Sequence, residues 1–150
     1  MAQSRNARGS MSSGENSSIS ISSPNKAVMP PITKSAGNPI SVNGKEYDTW
    51  ANAVDAINSN TTETSFDIIL LAHVMDAKTM PSKACTISGS TPSINFAYVD
   101  KNSDLTRIQM SAPLTFKNIT LQIWQIAANG YPLIFDEGVS CVSTYNEGTL

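Results

Sequence analysis

Few side chains in this sequence are of the types that carry chemistry, and they are thinly spread. His73 is the single histidine, with Asp76 three residues on and Cys85 further along. One imidazole, one carboxylate and one thiol fall short of the three or four well-spaced ligands that zinc takes, so His73 reads as a solvated loop histidine. A serine hydrolase would have to pair His73 with one of many serines, and no Gly-x-Ser-x-Gly turn is present to expose a nucleophile. Gly37, Gly44 and Gly89 are isolated turn glycines, not a phosphate-binding loop. Carboxylates are the remaining candidates: Asp100 and Asp104 lie close to Arg107, and Asp136 is next to Glu137. Two carboxylates can flank a glycosidic bond, and an acidic cluster can hold calcium. These fall in polar segments instead of along one strand face, where a solvated charged loop is the ordinary outcome. The sequence therefore predicts no catalytic residue, no cofactor site and no metal site.

Aromatic side chains offer a second kind of site. Trp124, Tyr131, Tyr98 and Tyr145 could form a surface on which sugars stack, but packing in the core or in turns is the commoner use of such rings. Asn16, Asn60 and Asn118 each open an Asn-x-Ser/Thr sequon, which matters only along a eukaryotic secretory route.

The elements that must position these residues follow from pattern. Residues 1–37 are rich in Ser, Pro and Asn with no sustained apolar period, and read as a flexible arm. From residue 38 the pattern changes. Ile40 and Val42 alternate around Ser41, and Asn43-Gly44 signals a tight turn. A helix of about three turns is predicted over Asp48 to Asn58, with Asp48 as N-cap and Asn58-Ser59-Asn60 as the stop. Trp50, Ala53, Val54 and Ile57 share its apolar face, and Asn52 and Asp55 point away. Phe66 to Leu71 is continuously apolar apart from Asp67, which suits a strand buried on both sides. Short segments follow at Cys85–Ile87, Ile94–Phe96, Leu105–Ile108, Leu114–Phe116, Ile119–Ile123 and Leu133–Phe135. Most carry apolar residues at i and i+2, the strand period.

Strands this short suit a solenoid, in which each coil adds one rung to each face. A coil of roughly 20 residues is expected, and Ile94 to Leu114 is a step of that size. Leu121 to Leu133 is shorter, and no strict repeat is visible. Leu114–Phe116 and Ile119–Leu121 lie so close that they must be neighbouring faces of one coil, bent at Lys117-Asn118.

Composition agrees with a β-rich domain. Of 150 residues, 40% are hydrophobic, enough for a core, while only 15% are charged, against about 25% in typical soluble domains. A net charge of −2 gives no pull toward nucleic acid, and no apolar run approaches a membrane span. Cys85 and Cys141 read as two small buried hydrophobes, with no pairing implied. Arg5 and Arg8 have no apolar stretch behind them, so no leader is read: the protein stays inside, has lost a leader, or is part of a longer chain.

The stretch from Ile40 to about Val142 resembles the N-terminal opening of bacterial extracellular right-handed parallel β-helix proteins, the pectate-lyase-like surface proteins and adhesins. The resemblance is carried by Tyr47-Asp48-Thr49-Trp50, Ala53-Val54-Asp55-Ala56-Ile57, Ile68-Ile69-Leu70-Leu71 and Thr86-Ile87-Ser88-Gly89. Ala112-Pro113-Leu114-Thr115-Phe116-Lys117-Asn118-Ile119-Thr120-Leu121 and Gly138-Val139 complete it. It implies a mainly β chain in which an amphipathic helix caps the first rung, with residues 38–150 forming the cap and first coils. Such a cap covers unpaired strand edges and a slice of core, Trp50 alone contributing about 2–3 kcal/mol. No comparable helix is legible from Cys141 to Leu150, so the chain looks truncated or in need of a partner on that edge.

The resemblance also implies an extracellular or cell-surface location, and a non-catalytic structural or adhesive role. Partners would be carbohydrate or another protein chain, met through an exposed sheet edge. The alternative is the N-terminal fragment of a polysaccharide lyase or glycoside hydrolase on the same scaffold. No catalytic residue of that family can be carried onto this chain. A small intracellular αβ domain is a third, weaker reading.

Overall fold

The computed structural model describes residues 37–142. Apart from Gly37, the expected arm lies outside them, as do Asn16 and Tyr145. The described chain is mainly β, and its parallel sheets form a β-solenoid of about four turns.

It begins with a hairpin, β1 (Ile40–Val42) and β2 (Lys45–Tyr47). Asn43 and Gly44 take positive φ of 49° and 90°, so the turn signal is used as a tight hairpin. Helix α1 (Trp50–Ser59) follows and buries Trp50, Ala53, Val54 and Ile57. Its N-cap is Thr49, whose side chain accepts from the Asn52 N–H at 3.1 Å. The expectation of Asp48 as N-cap is thereby corrected. Asp48 sits one residue too early and instead accepts from the Asn52 side-chain amide at 2.8 Å. Asn60 closes the helix, its N–H reaching the Ile57 carbonyl.

The coils come next. The first holds β3 (Ser65–Leu70) and β4 (Val74–Ala77). The second holds β5 (Ala84–Gly89), β6 (Asn95–Tyr98) and β7 (Arg107–Gln109). The third holds β8 (Leu114–Lys117), β9 (Ile119–Gln122) and β10 (Gln125–Ala127). The fourth holds β11 (Leu133–Phe135) and β12 (Val139–Val142).

Three sheets result. The long one runs β11-β8-β5-β3-β1-β2, the second β12-β9-β6-β4, and the third is the pair β10-β7. All pairings between coils are parallel; the antiparallel ones join β1 to β2 and to β3. Four strands, β2, β4, β10 and β12, were not separated as strands by sequence pattern alone.

Register corrects two expectations. Phe66, Ile68 and Leu70 point inward and are buried, but Asp67 is exposed and Ile69 half-buried, so β3 has one core face and not two. Ile94 to Leu114 is also not one coil, because Leu114 pairs with Cys85 on the long sheet. Leu121 and Leu133 likewise lie on different sheets, pairing with Cys141 and Leu114. The step on the long sheet is 19 residues from Phe66 to Cys85, 29 from Cys85 to Leu114, and 19 again to Leu133.

The bend between β8 and β9 falls where expected. Asn118 takes φ 52°, and its side-chain amide donates to the Gly89 carbonyl at 2.9 Å, tying one corner to the coil before it. Gly138 occupies the same corner one coil later with φ 77°, a conformation that costs a residue with Cβ and costs glycine little.

Rings stack along the core. Trp50 meets Phe96 edge-on with centroids 4.9 Å apart, Phe96 lies 6.3 Å from Phe116, and Phe116 stacks on Phe135 at 5.9 Å. The indole N–H of Trp50 donates to the Thr79 carbonyl at 2.7 Å, satisfying the polar atom of a buried ring.

Candidate functional site

The residues singled out for chemistry are not brought together. His73 is half-buried, not a solvated loop residue, and this corrects the earlier expectation. Its Nδ1 accepts the Asn95 N–H at 3.0 Å, so the ring stands in for a carbonyl where the chain enters β6. Asn95 in turn accepts from the buried Gln122 side chain at 2.9 Å, and the three form a polar ladder through successive coils. Asp76 is exposed on β4, and Cys85 is buried beneath the long sheet. Among the described residues no group of three or more His, Cys, Asp or Glu side chains is placed to hold a metal ion.

The carboxylates are used locally. Asp100 accepts from the N–H groups of Asn102 and Asp104 at 2.7 and 3.1 Å, which shapes its own loop. Arg107 donates from Nε to Gln125 on the next coil at 2.6 Å. Asp136 accepts from the Glu137 N–H at 2.8 Å.

Burial corrects other expectations. Cys85 is buried, and desolvation pushes its thiol up to about 12. Cys141 is exposed, so it is not a second core residue; both thiols are free. Trp124 and Tyr131 are 44% and 42% exposed, so of the two expected uses, core or turn, the core is excluded. Tyr98 is half-buried, donates to the Lys78 carbonyl at 3.1 Å, and has its pKa raised by burial. Two sequons are occupied by structure. The Asn118 amide is bound at the corner, and Asn60 accepts from the N–H groups of Thr62 and Glu63.

What the solenoid does assemble is a face. The outer side of β6 is covered, because Ala97, Val99 and Leu105 form a small buried cluster under the loop that follows it. The outer side of the long sheet is open. There, register aligns Asp67, Thr86 and Thr115 across three consecutive rungs, and beside them Ile69, Ser88 and Lys117. Rungs lie about 4.8 Å apart, so these are regular ladders of side chains.

Two hollows run along this face, of about 310 and 450 Å³. Asp67 and Thr86 line both, so they form one trough. One end is walled by Asn43, whose side chain accepts the Asp67 N–H at 2.7 Å and donates to Glu63. The other is walled by Asn118 and Glu137 at the corner. Of the lining residues, Asn43, Cys85, Gly89, Lys117, Asn118 and Glu137 stood out in the sequence, each for a reason unrelated to this trough. Asp67, Thr86 and Thr115 are far apart in the chain, and nothing short of the coil register marks them as neighbours.

No family model, no curated protein and no solved structure matches this chain. Among the described residues, no helix is long and apolar enough to cross a membrane.

Proposed function

We propose that this chain is a non-catalytic structural or adhesive module of a secreted or cell-surface protein, built as the pectate-lyase-like β-helix proteins are. It works by surface contact with carbohydrate or with another protein chain. One observation carries the reading. Of the carboxylates that could have formed a catalytic pair, only Glu137 reaches the open face of the long sheet, where polar side chains stand in register, while Asp100 and Asp136 are bound into turns. A row of polar side chains on a rigid ladder suits recognition of a ligand by surface contact. A protein partner is supported by the last coil, where Ile134, Phe135 and Val142 are exposed beside strand edges.

The test is an assay of the purified chain on pectic and other acidic polysaccharides, with and without calcium, alongside pull-down on the same polymers. Binding or inertness without cleavage is expected. Calcium-dependent cleavage lost on replacing Asp100, Asp104 or Asp136 would overturn the reading in favour of a lyase or hydrolase.

A further inference from the structure

The trough has features beyond its openness. Its floor is the outer face of a sheet whose backbone groups are consumed by the ladders on either side, from β3 through β5 to β8. No strand can add to it, so any ligand must be read by side chains alone. Most of those side chains are hydroxyls, amides and charges, Thr86, Thr115 and Ser88 with Asp67, Lys117 and Glu137, and Phe66, Ala84, Cys85 and Pro113 add an apolar portion at one end. Thr86, Ser88 and Thr115 are half-buried, while Asp67, Lys117 and Glu137 stand exposed at the margins. Ser88 leans toward the Ile68 carbonyl at 3.4 Å. The hydroxyls of Thr86 and Thr115, the Asp67 carboxylate and the Lys117 ammonium make no hydrogen bond or ion pair with another described residue. Donors and acceptors not used by other described residues thus stand at a regular backbone spacing.

Charge narrows the ligand. Asp67 and Glu137 oppose one Lys117, and Glu63 stands behind Asn43 at the near wall. The balance is mildly acidic, so a polyanion would meet repulsion and desolvation along the trough. The lining holds Phe66 and Pro113 at one end but no exposed aromatic plate, so flat apolar ligands gain little.

From this chemistry we infer that the trough binds a neutral, linear, polyhydroxylated chain, an uncharged glycan laid along the solenoid axis with its hydroxyls bridging the rungs of Asp67, Thr86 and Thr115. The inference rests on the adhesive reading above and names its ligand class and surface.

The experiment is calorimetric titration of the full chain with neutral β-linked glucan and mannan hexasaccharides, and with hexagalacturonate of the same length. Wild type is expected to bind a neutral hexasaccharide at least tenfold more tightly than the acidic one. Thr86→Arg and Thr115→Arg place a long side chain in the trough and should each weaken binding at least tenfold. Both positions face outward, and unchanged thermal melting would show that the fold is intact; Thr86→Ala serves if an arginine variant melts early. Preference for the acidic chain, neutral binding undiminished in the arginine variants, or no binding of either hexasaccharide each overturns the inference. The cleavage assay is independent, so a module that is inert but does not bind these sugars loses the trough assignment and keeps the non-catalytic reading.

Discussion

The two ends of the solenoid face the same problem and differ in how they meet it. At the first coil, α1 lays Trp50, Ala53, Val54 and Ile57 over the core, and none of these is more than 4% exposed. At the fourth coil the inward ring of the stack, Phe135, is 49% exposed, and among the described residues no helix covers it. Both ends belong to one aromatic column, so the contrast lies in the covering element and not in the core it covers. A parallel coil protects the coil below it but not itself, and only an element of different geometry can close the column.

Five measurements would break or sharpen this contrast. Trp50→Ala removes the ring that joins helix to column and leaves the Thr79 carbonyl without its donor, so a loss of about 3–5 kcal/mol is expected by urea denaturation. A loss under about 1 kcal/mol would show that the helix does not seal the core.

Cys85 lies beneath the capped part of the long sheet and Cys141 on the open last coil. A folded-state pKa raised from 9.0 to about 12 means the unfolded chain ionises first. Stability from this group is complete below pH 9 and falls as pH climbs toward 12, by about 2 kcal/mol near pH 10.5 at 1.36 kcal/mol per unit. The urea midpoint of Cys85→Ala should decline less over that interval than wild type's. In the native protein Cys141 should react with a thiol reagent and Cys85 should not; equal rates would contradict the burial difference.

Phe135→Ala should cost about 1–2 kcal/mol, because roughly half of the ring is already in water. Phe116→Ala, one coil inward and fully buried, should cost about 3–5 kcal/mol. Equal losses would mean that the last coil is covered in solution. The smallest effect expected is Thr49→Ala, about 1 kcal/mol for a lost N-cap, with Asp48→Ala milder still. The reverse order would restore Asp48 to the cap.

These contrasts also explain what was readable in the sequence. The helix face was legible because Trp50, Ala53, Val54 and Ile57 repeat at the helical period, a local property. The bend at Asn118 was legible because two apolar segments crowd it. Strand β4 was not, because its inward residues, Val74 and Ala77, are three apart across a register irregularity and so lack alternation. In β3, Ile69 extended an apolar run that hid its outward direction. The N-cap was misplaced by one residue, since Asp and Thr are both good caps and only the backbone decides between them. The trough was invisible for a deeper reason: its residues are separated by 19 or 29 positions, and the spacing changes from coil to coil.

That change of spacing has a consequence for how such a protein could be altered. Most of the longer step arises between β6 and β7, in the loop held by the Val99–Leu105 bridge and the Asp100 turn. By register the stretch from Asn95 to Arg107 is seven residues longer than its counterpart from Thr120 to Gln125 one coil on, yet the strands before and after remain in register with their neighbours. Length variation is absorbed at a corner. The Asn102–Ser103 tip is therefore a natural splice point, where foreign peptide could be grafted and displayed. Loop closure grows by only about 0.6 kcal/mol per doubling, so such a graft would tax the scaffold little.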